Sequence, residues 1–241
     1  MIQKFCFAFF VLSNFVYSQS SSAEVTQQIW LDYNPQWDIS ENFTLYGSTG
    51  ARTIIPHSWN QVFLTTAVRY APIPLFSVFN RSQQEIHGGL SIYYTNNEDK
   101  PNQLELRPFE GYKISWPNIA NLRFTHFLRL EERFIFTIGE SDFDFELRGR
   151  YKLEAIFHRT KHLVDFANGL YFPISVELLI DLYSTELFND AIRITPGLGY
   201  SSESNLWKLQ FDICYQYGDK DDLGSFTKNT IIYRLRFFQA I

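Results

Sequence analysis

Between Phe143 and Glu154 the chain alternates between two kinds of side chain. Phe143, Phe145, Leu147, Tyr151 and Leu153 hold one parity, while Asp144, Glu146, Arg148, Arg150, Lys152 and Glu154 hold the other. A helix would spread both sets around its circumference, whereas a strand sends them to opposite faces. This stretch is therefore extended, with one apolar face and one ionic face. The same division recurs from Trp207, where Trp207, Leu209, Phe211, Ile213, Tyr215 and Tyr217 oppose Lys208, Gln210, Asp212, Cys214 and Gln216. It recurs again where Leu170, Phe172, Ile174, Val176, Leu178 and Ile180 oppose Tyr171, Ser175, Glu177 and Asp181.

Weaker versions fill the rest of the chain. Strand candidates run over residues 24–33, 41–53, 60–71, 84–95, 103–116, 120–136, 142–156, 169–183, 189–201, 205–218 and 228–239. No linker or low-complexity stretch divides them, so one domain is expected. Segments of about ten alternating residues match the length of a tilted strand crossing a bilayer, whereas strands of a soluble sandwich average about five or six. A sheet in hydrocarbon must also close on itself, because an open edge would leave backbone groups unpaired. The fold predicted is all-β: a closed antiparallel transmembrane β-barrel of ten to twelve strands in an up-and-down meander. An even count with both chain ends on the periplasmic side is the bacterial norm, so eleven candidates leave the count open within that range.

Composition agrees with this and excludes other classes. The 241 residues include 24 Phe, 14 Tyr and 5 Trp, too many aromatics for a disordered chain. A mean hydropathy of −0.18 excludes a helical membrane bundle. A net charge of −5 argues against a nucleic-acid partner. Residues 1–18 read as a Sec signal peptide: Lys4 supplies the positive start, Phe5 to Val16 the apolar stretch, and Tyr17-Ser18 the cleavage context before Gln19. The barrel domain is then 19–241, exported to the Gram-negative cell outer membrane. Cys6 lies within the leader, leaving Cys214 with no partner for an internal disulfide. Longer connections belong outside the cell. Counting back from a C-terminal strand that ends in the periplasm puts the acidic set Asn96–Lys100, Gly139–Asp142 and Gly218–Asp222 there.

The ionic parity carries the sharpest information. Glu105 and Arg107, then Arg129, Glu131 and Arg133, then Glu146, Arg148 and Arg150 all have inward parity on three successive segments. A turn centred near Ile119 sets Glu105 opposite Arg133 and Arg107 opposite Glu131. A loop centred between Gly139 and Glu140 sets Arg133 opposite Glu146 and Glu131 opposite Arg148. Like charges directly opposite are destabilising, so such a ladder selects register where apolar alternation alone permits slips by two. Roughly fourteen basic and ten acidic groups have inward parity by strand alternation, which makes the lumen mildly cationic. Eight strands are just filled by side chains and about sixteen are needed for an aqueous channel, so a plugged or very narrow lumen is expected.

Three stretches also resemble a known family. Glu105-Leu106-Arg107-Pro108-Phe109-Glu110-Gly111, Phe127-Leu128-Arg129-Leu130-Glu131-Glu132-Arg133-Phe134 and Arg148-Gly149-Arg150-Tyr151 are similar to hallmark stretches of the domain of unknown function 2490 family. The resemblance implies an outer-membrane barrel of a kind frequent in Bacteroidetes. It brings no catalytic or ligand residues with it.

Two functional classes follow. The first is a porin-like narrow small-solute channel, or an envelope structural protein, with the Arg/Glu lumen as its distinguishing feature. Its partners would be outer-membrane lipid and lipopolysaccharide, with the barrel assembly machinery and periplasmic chaperones during biogenesis. The alternative is a lipid-modifying enzyme of phospholipase or deacylase type. For that class His126 and Glu110 form a candidate polar pair, since both break the apolar face on adjacent strands and a carboxylate can orient an imidazole. No serine of matching parity and no Gly-x-Ser-x-Gly turn completes a triad, so the balance is against an enzyme. No cofactor or metal is expected. His87 reads as a polar lumen group, and His158 and His162 lie around a turn without the helical face that would make their spacing useful to zinc.

Overall fold

The computed structural model describes residues 24–55, 59–71, 83–98, 100–116, 122–141, 143–158, 169–182, 191–204, 206–220 and 226–241. The expected leader and the His162 position lie outside the described residues. The described residues form eleven strands: β1 Glu24–Asp38, β2 Phe43–Ile55, β3 Trp59–Tyr70, β4 Gln84–Asn97, β5 Gln103–Ser115, β6 Leu122–Thr137, β7 Phe143–His158, β8 Leu170–Asp181, β9 Ala191–Ser201, β10 Trp207–Lys220 and β11 Phe226–Ala240. Successive strands pair antiparallel, and β1 meets β11 to close the sheet into a barrel. Closure leaves no row of unpaired backbone groups at an edge.

The count falls within the expected ten to twelve, but an odd number changes the closure. Strand direction alternates along a meander, so the first and last of eleven strands run the same way. The β1–β11 seam is accordingly parallel, from Glu24↔Lys228 to Gln36↔Ala240. The meander itself is antiparallel as expected, and the closing seam is its parallel exception. It also separates the two ends of the sheet: β1 starts at one rim and β11 finishes at the other. The Thr26 and Thr230 hydroxyls meet across the seam at 3.0 Å, the Tyr33 hydroxyl donates to Gln239 Oε1 at 2.9 Å, and Arg234 pairs with Asp32.

Alternation becomes two surfaces. Leu31, Leu64, Phe172, Ile194, Phe211 and Leu235 are exposed on the outer wall, while Ser91, Glu131, Asp212 and Ile232 are less than 2% exposed inside. Polarity is thus inverted relative to a water-soluble core. The ends that join β1 to β2, β3 to β4, β5 to β6, β7 to β8 and β9 to β10 face the rim where β11 ends; those that join β2 to β3, β4 to β5, β6 to β7, β8 to β9 and β10 to β11 face the other. The two longest intervals between strands, from Tyr70 to Gln84 and from His158 to Leu170, are bounded by strand ends at the C-terminal rim, whereas the expectation put the long connections with the acidic set. At the acidic rim Gly139 turns the chain with φ 101°, and the Glu140 amide donates to the Thr137 carbonyl at 3.1 Å.

Candidate functional site in the barrel lumen

The inward parities of β5, β6 and β7 converge on Glu131, whose side chain is fully buried. Its carboxylate accepts from Arg148 Nη2 at 2.5 Å and Arg150 Nη1 at 2.7 Å. Arg107 Nη1 stands at 3.7 Å, and Arg129 Nε at 3.0 Å without the alignment of a hydrogen bond. A buried carboxylate is tolerated only when paired and hydrogen-bonded, and here four guanidiniums surround one. The pairs extend on both sides. Arg133 joins Glu105 at 2.7 Å and also pairs with Glu146; Arg150 joins Glu177 at 2.5 Å, and Arg193 reaches Glu177 at 3.3 Å.

The β6–β7 register places Arg133 opposite Glu146 and Glu131 opposite Arg148, as the charge alternation predicts. The β5–β6 register differs from expectation by two residues. Glu105 lies opposite Ile135 and Phe109 opposite Glu131, and the pairing lapses at Arg107 and Pro108. Pro108 has no N–H to contribute, which accounts for the lapse in the ladder. In this register Arg107 and Arg133 would face one another. Both instead share Glu105: Arg107 Nε donates to Oε1 at 2.8 Å, and Arg133 Nε donates to the same oxygen at 2.7 Å. The expected ion pair survives diagonally, and the shared carboxylate offsets the like-charge approach.

Aromatic rings continue the network through the remaining strands. The Arg107 guanidinium lies 4.2 Å from the Tyr93 ring centre, and Arg52 lies 5.3 Å from Tyr93 and 4.1 Å from Trp30. Arg234 and Arg193 approach the same Trp30 ring at 5.4 and 5.7 Å. Contacts thereby run around the bore from Glu131 through Arg107, Tyr93, Arg52, Trp30, Arg193, Glu177 and Arg150 back to Glu131. Trp30 itself is buried with Cys214 and Ile232. Nothing in the strongest sequence alternations singles out Trp30, Arg52 or Arg193. Inward parity on β1, β2 and β9 was the available signal, and cation–π contact has no pairing rule comparable to opposite charge.

Among the described residues, six arginines (Arg107, Arg129, Arg133, Arg148, Arg150 and Arg193) and four glutamates (Glu105, Glu131, Glu146 and Glu177) belong to the connected ion pairs. The waist of the lumen is therefore cationic, in the direction expected. A cavity of about 260 Å³ touches Glu105 and Arg133 on the acidic-rim side. A larger one of about 520 Å³ opens at the C-terminal rim and includes Lys152, Glu154 and Arg236.

Other predicted positions resolve simply. Glu110 and His126 are not brought together: Glu110 lies opposite Leu130, and His126 lies opposite Ile114, four positions along the ladder. This corrects the candidate polar pair. His126 Nδ1 instead contacts the Tyr151 hydroxyl at 2.7 Å beside the Trp116 ring. His87 is buried inside, with Nδ1 at 2.9 Å from the Tyr46 hydroxyl and Nε2 at 3.3 Å from Glu85. Among the described residues, no group of three or more His, Cys, Asp or Glu side chains could hold a metal ion.

An all-β closed barrel with an arginine–glutamate lumen defines the class. Residues 27–226 match the model of a protein family of unknown function, DUF2490, and the chain belongs to that family. Comparison with curated proteins and with solved structures returned no match.

Proposed function

We propose that this chain is an outer-membrane β-barrel that passes small solutes at most slowly, its lumen braced across the waist by the arginine–carboxylate and arginine–aromatic circuit. The observation that carries this reading is the inverted polarity of the wall. Leu31, Leu64 and Phe211 are respectively 51%, 57% and 43% exposed on the outside, while Glu131 and Asp212 are sealed inside. An apolar exterior of this extent is costly in water and favourable against acyl chains. Outer-membrane lipid and lipopolysaccharide are then its surroundings, and barrel assembly machinery and periplasmic chaperones its partners during biogenesis.

The waist supports restricted passage over a wide pore. Arg guanidiniums suit bidentate, planar pairing, and their chains reach across the space that a larger barrel would leave to water. Excess guanidinium favours anions among the solutes small enough to pass. The lipid-modifying alternative has less support, since His126 contacts Tyr151 and is separated from Glu110.

Reconstitution tests the reading. The protein is expected to fractionate with outer membranes, to migrate faster on a detergent gel before boiling than after, and to give small, anion-preferring steps in a planar bilayer. A detergent-free soluble protein would overturn the membrane assignment. A bilayer signal no larger than background would remove the channel and leave the scaffold.

A further inference from the structure

We infer that the cavity of about 520 Å³ at the C-terminal rim is a binding site for a small organic anion, one carrying a phosphate or carboxylate on a ring or short chain. Its volume lies within the range of small-molecule sites. Among the described residues, four basic side chains line it, Arg123, Lys152, Lys208 and Arg236, together with the carboxylate of Glu154. Two are already neutralised. Lys152 Nζ donates to Glu154 Oε2 at 2.7 Å, and Arg236 Nη2 lies 2.6 Å from Asp212, which sits buried beneath it.

Arg123 and Lys208 have no carboxylate partner among the described residues. Arg123 is on β6 and Lys208 on β10, four strands apart around the barrel, and both line the same cavity. Two like charges held across a cavity repel until an anion comes between them, and that anion is gained by charge-assisted bonds from both sides. Apolar and amide side chains share the lining with the cations: Ile156, Tyr171 and Phe238 stand beside Gln36, Gln210 and Gln239. Tyr171 is held by donating to Gln210 Oε1 at 3.0 Å. The surface thus offers positive charge together with apolar side chains, Ile156 and Phe238, for a ring or short chain. Inorganic phosphate satisfies the first element alone, and an organic phosphate satisfies both.

This site requires the barrel and its rim but not passage through the waist, so failure of the conductance experiment leaves it standing. The test is calorimetric titration of the purified, detergent-solubilised full chain with phenyl phosphate. Saturable binding is expected, with inorganic phosphate at least tenfold weaker and trimethylphenylammonium not bound. The double variant R123Q/K208Q, altered at two exposed positions and checked for native gel migration, should weaken phenyl phosphate at least tenfold. A parallel titration with dihexanoyl phosphatidic acid identifies the source: tighter binding than phenyl phosphate assigns a lipid headgroup, and weaker binding assigns a soluble metabolite. The inference is overturned if neither phosphate binds, if R123Q/K208Q binds as the parent does, or if the cationic probe binds equally.

Discussion

Asp32 and Arg234 form an ion pair across the parallel seam that joins the first strand to the last. The Asp32 side chain is fully buried, so its partner compensates a charge that water cannot reach. Removing one member of a buried pair costs roughly 3 to 5 kcal/mol, whereas replacing both with apolar groups is often neutral. Asp32→Asn is expected to lower the temperature at which the folded band is lost on a heat-modifiability gel. The double change Asp32→Leu with Arg234→Met should recover most of that loss.

Glu131 should be the most sensitive position in the lumen. Glu131→Gln leaves Arg107, Arg129, Arg148 and Arg150 around a neutral amide, and a destabilisation of about 4 kcal/mol is expected from the uncompensated buried charge. Urea unfolding of the purified protein in lipid vesicles reads this directly. A midpoint unchanged within error would show that the guanidiniums do not depend on the carboxylate.

Arg133 offers a charge-reversal test. Arg133→Glu should impair assembly, because it places a third carboxylate beside Glu105 and Glu146. Adding Glu146→Arg should restore part of the folded yield, since that pair lies directly opposite in the β6–β7 register. Adding Glu105→Arg alone should restore less, because Glu105 also serves Arg107. Equal rescue by the two would contradict the sharing of Glu105 between Arg107 and Arg133.

Gly199 and Gly88 predict opposite outcomes for one kind of substitution. A Cβ at Gly199 would fall 2.1 Å from the Tyr171 ring, whereas one at Gly88 meets its nearest neighbour at 4.0 Å. Gly199→Ala should cost roughly 1 to 3 kcal/mol through overpacking and disturb the wall of the larger cavity. Gly88→Ala should be close to silent in the same urea titration.

Closure can be checked by labelling. An epitope placed directly before Glu24 and another after Ile241 should react from opposite sides of the membrane, because β1 and β11 run in the same direction. Reaction from a single side would require an even number of strands.

The alternation of Phe143–Glu154 and Trp207–Tyr217 was enough to read strands, faces and a barrel, because a period of two survives any tertiary context that keeps one face buried. The β6–β7 register was also legible, since Arg133 and Glu131 each have an opposite charge waiting across a short loop. The β5–β6 register was not. Glu105 can serve Arg133 as well from a diagonal position as from a facing one, and the lapse at Pro108 leaves the register no strict ladder to follow. His126 was assigned to Glu110 on parity, but parity gives only the face and not the height along the strand. Tyr151, one strand further and at the right height, was its partner. Trp30 was missed for a different reason. Its neighbours Arg52, Arg193 and Arg234 come from three separate strands, and no short segment contains that convergence.

The parallel seam also sets the order in which this protein can be made. Every other ladder joins consecutive segments and can zip as a hairpin soon after both partners exist. The seam joins residues such as Thr26 and Thr230, which are 204 positions apart, and no turn can template it. Its loop-closure entropy must be met before any of its bonds form. Sealing is therefore expected to come last, and a molecule stalled before it would be a curled ribbon whose two free margins already point the same way.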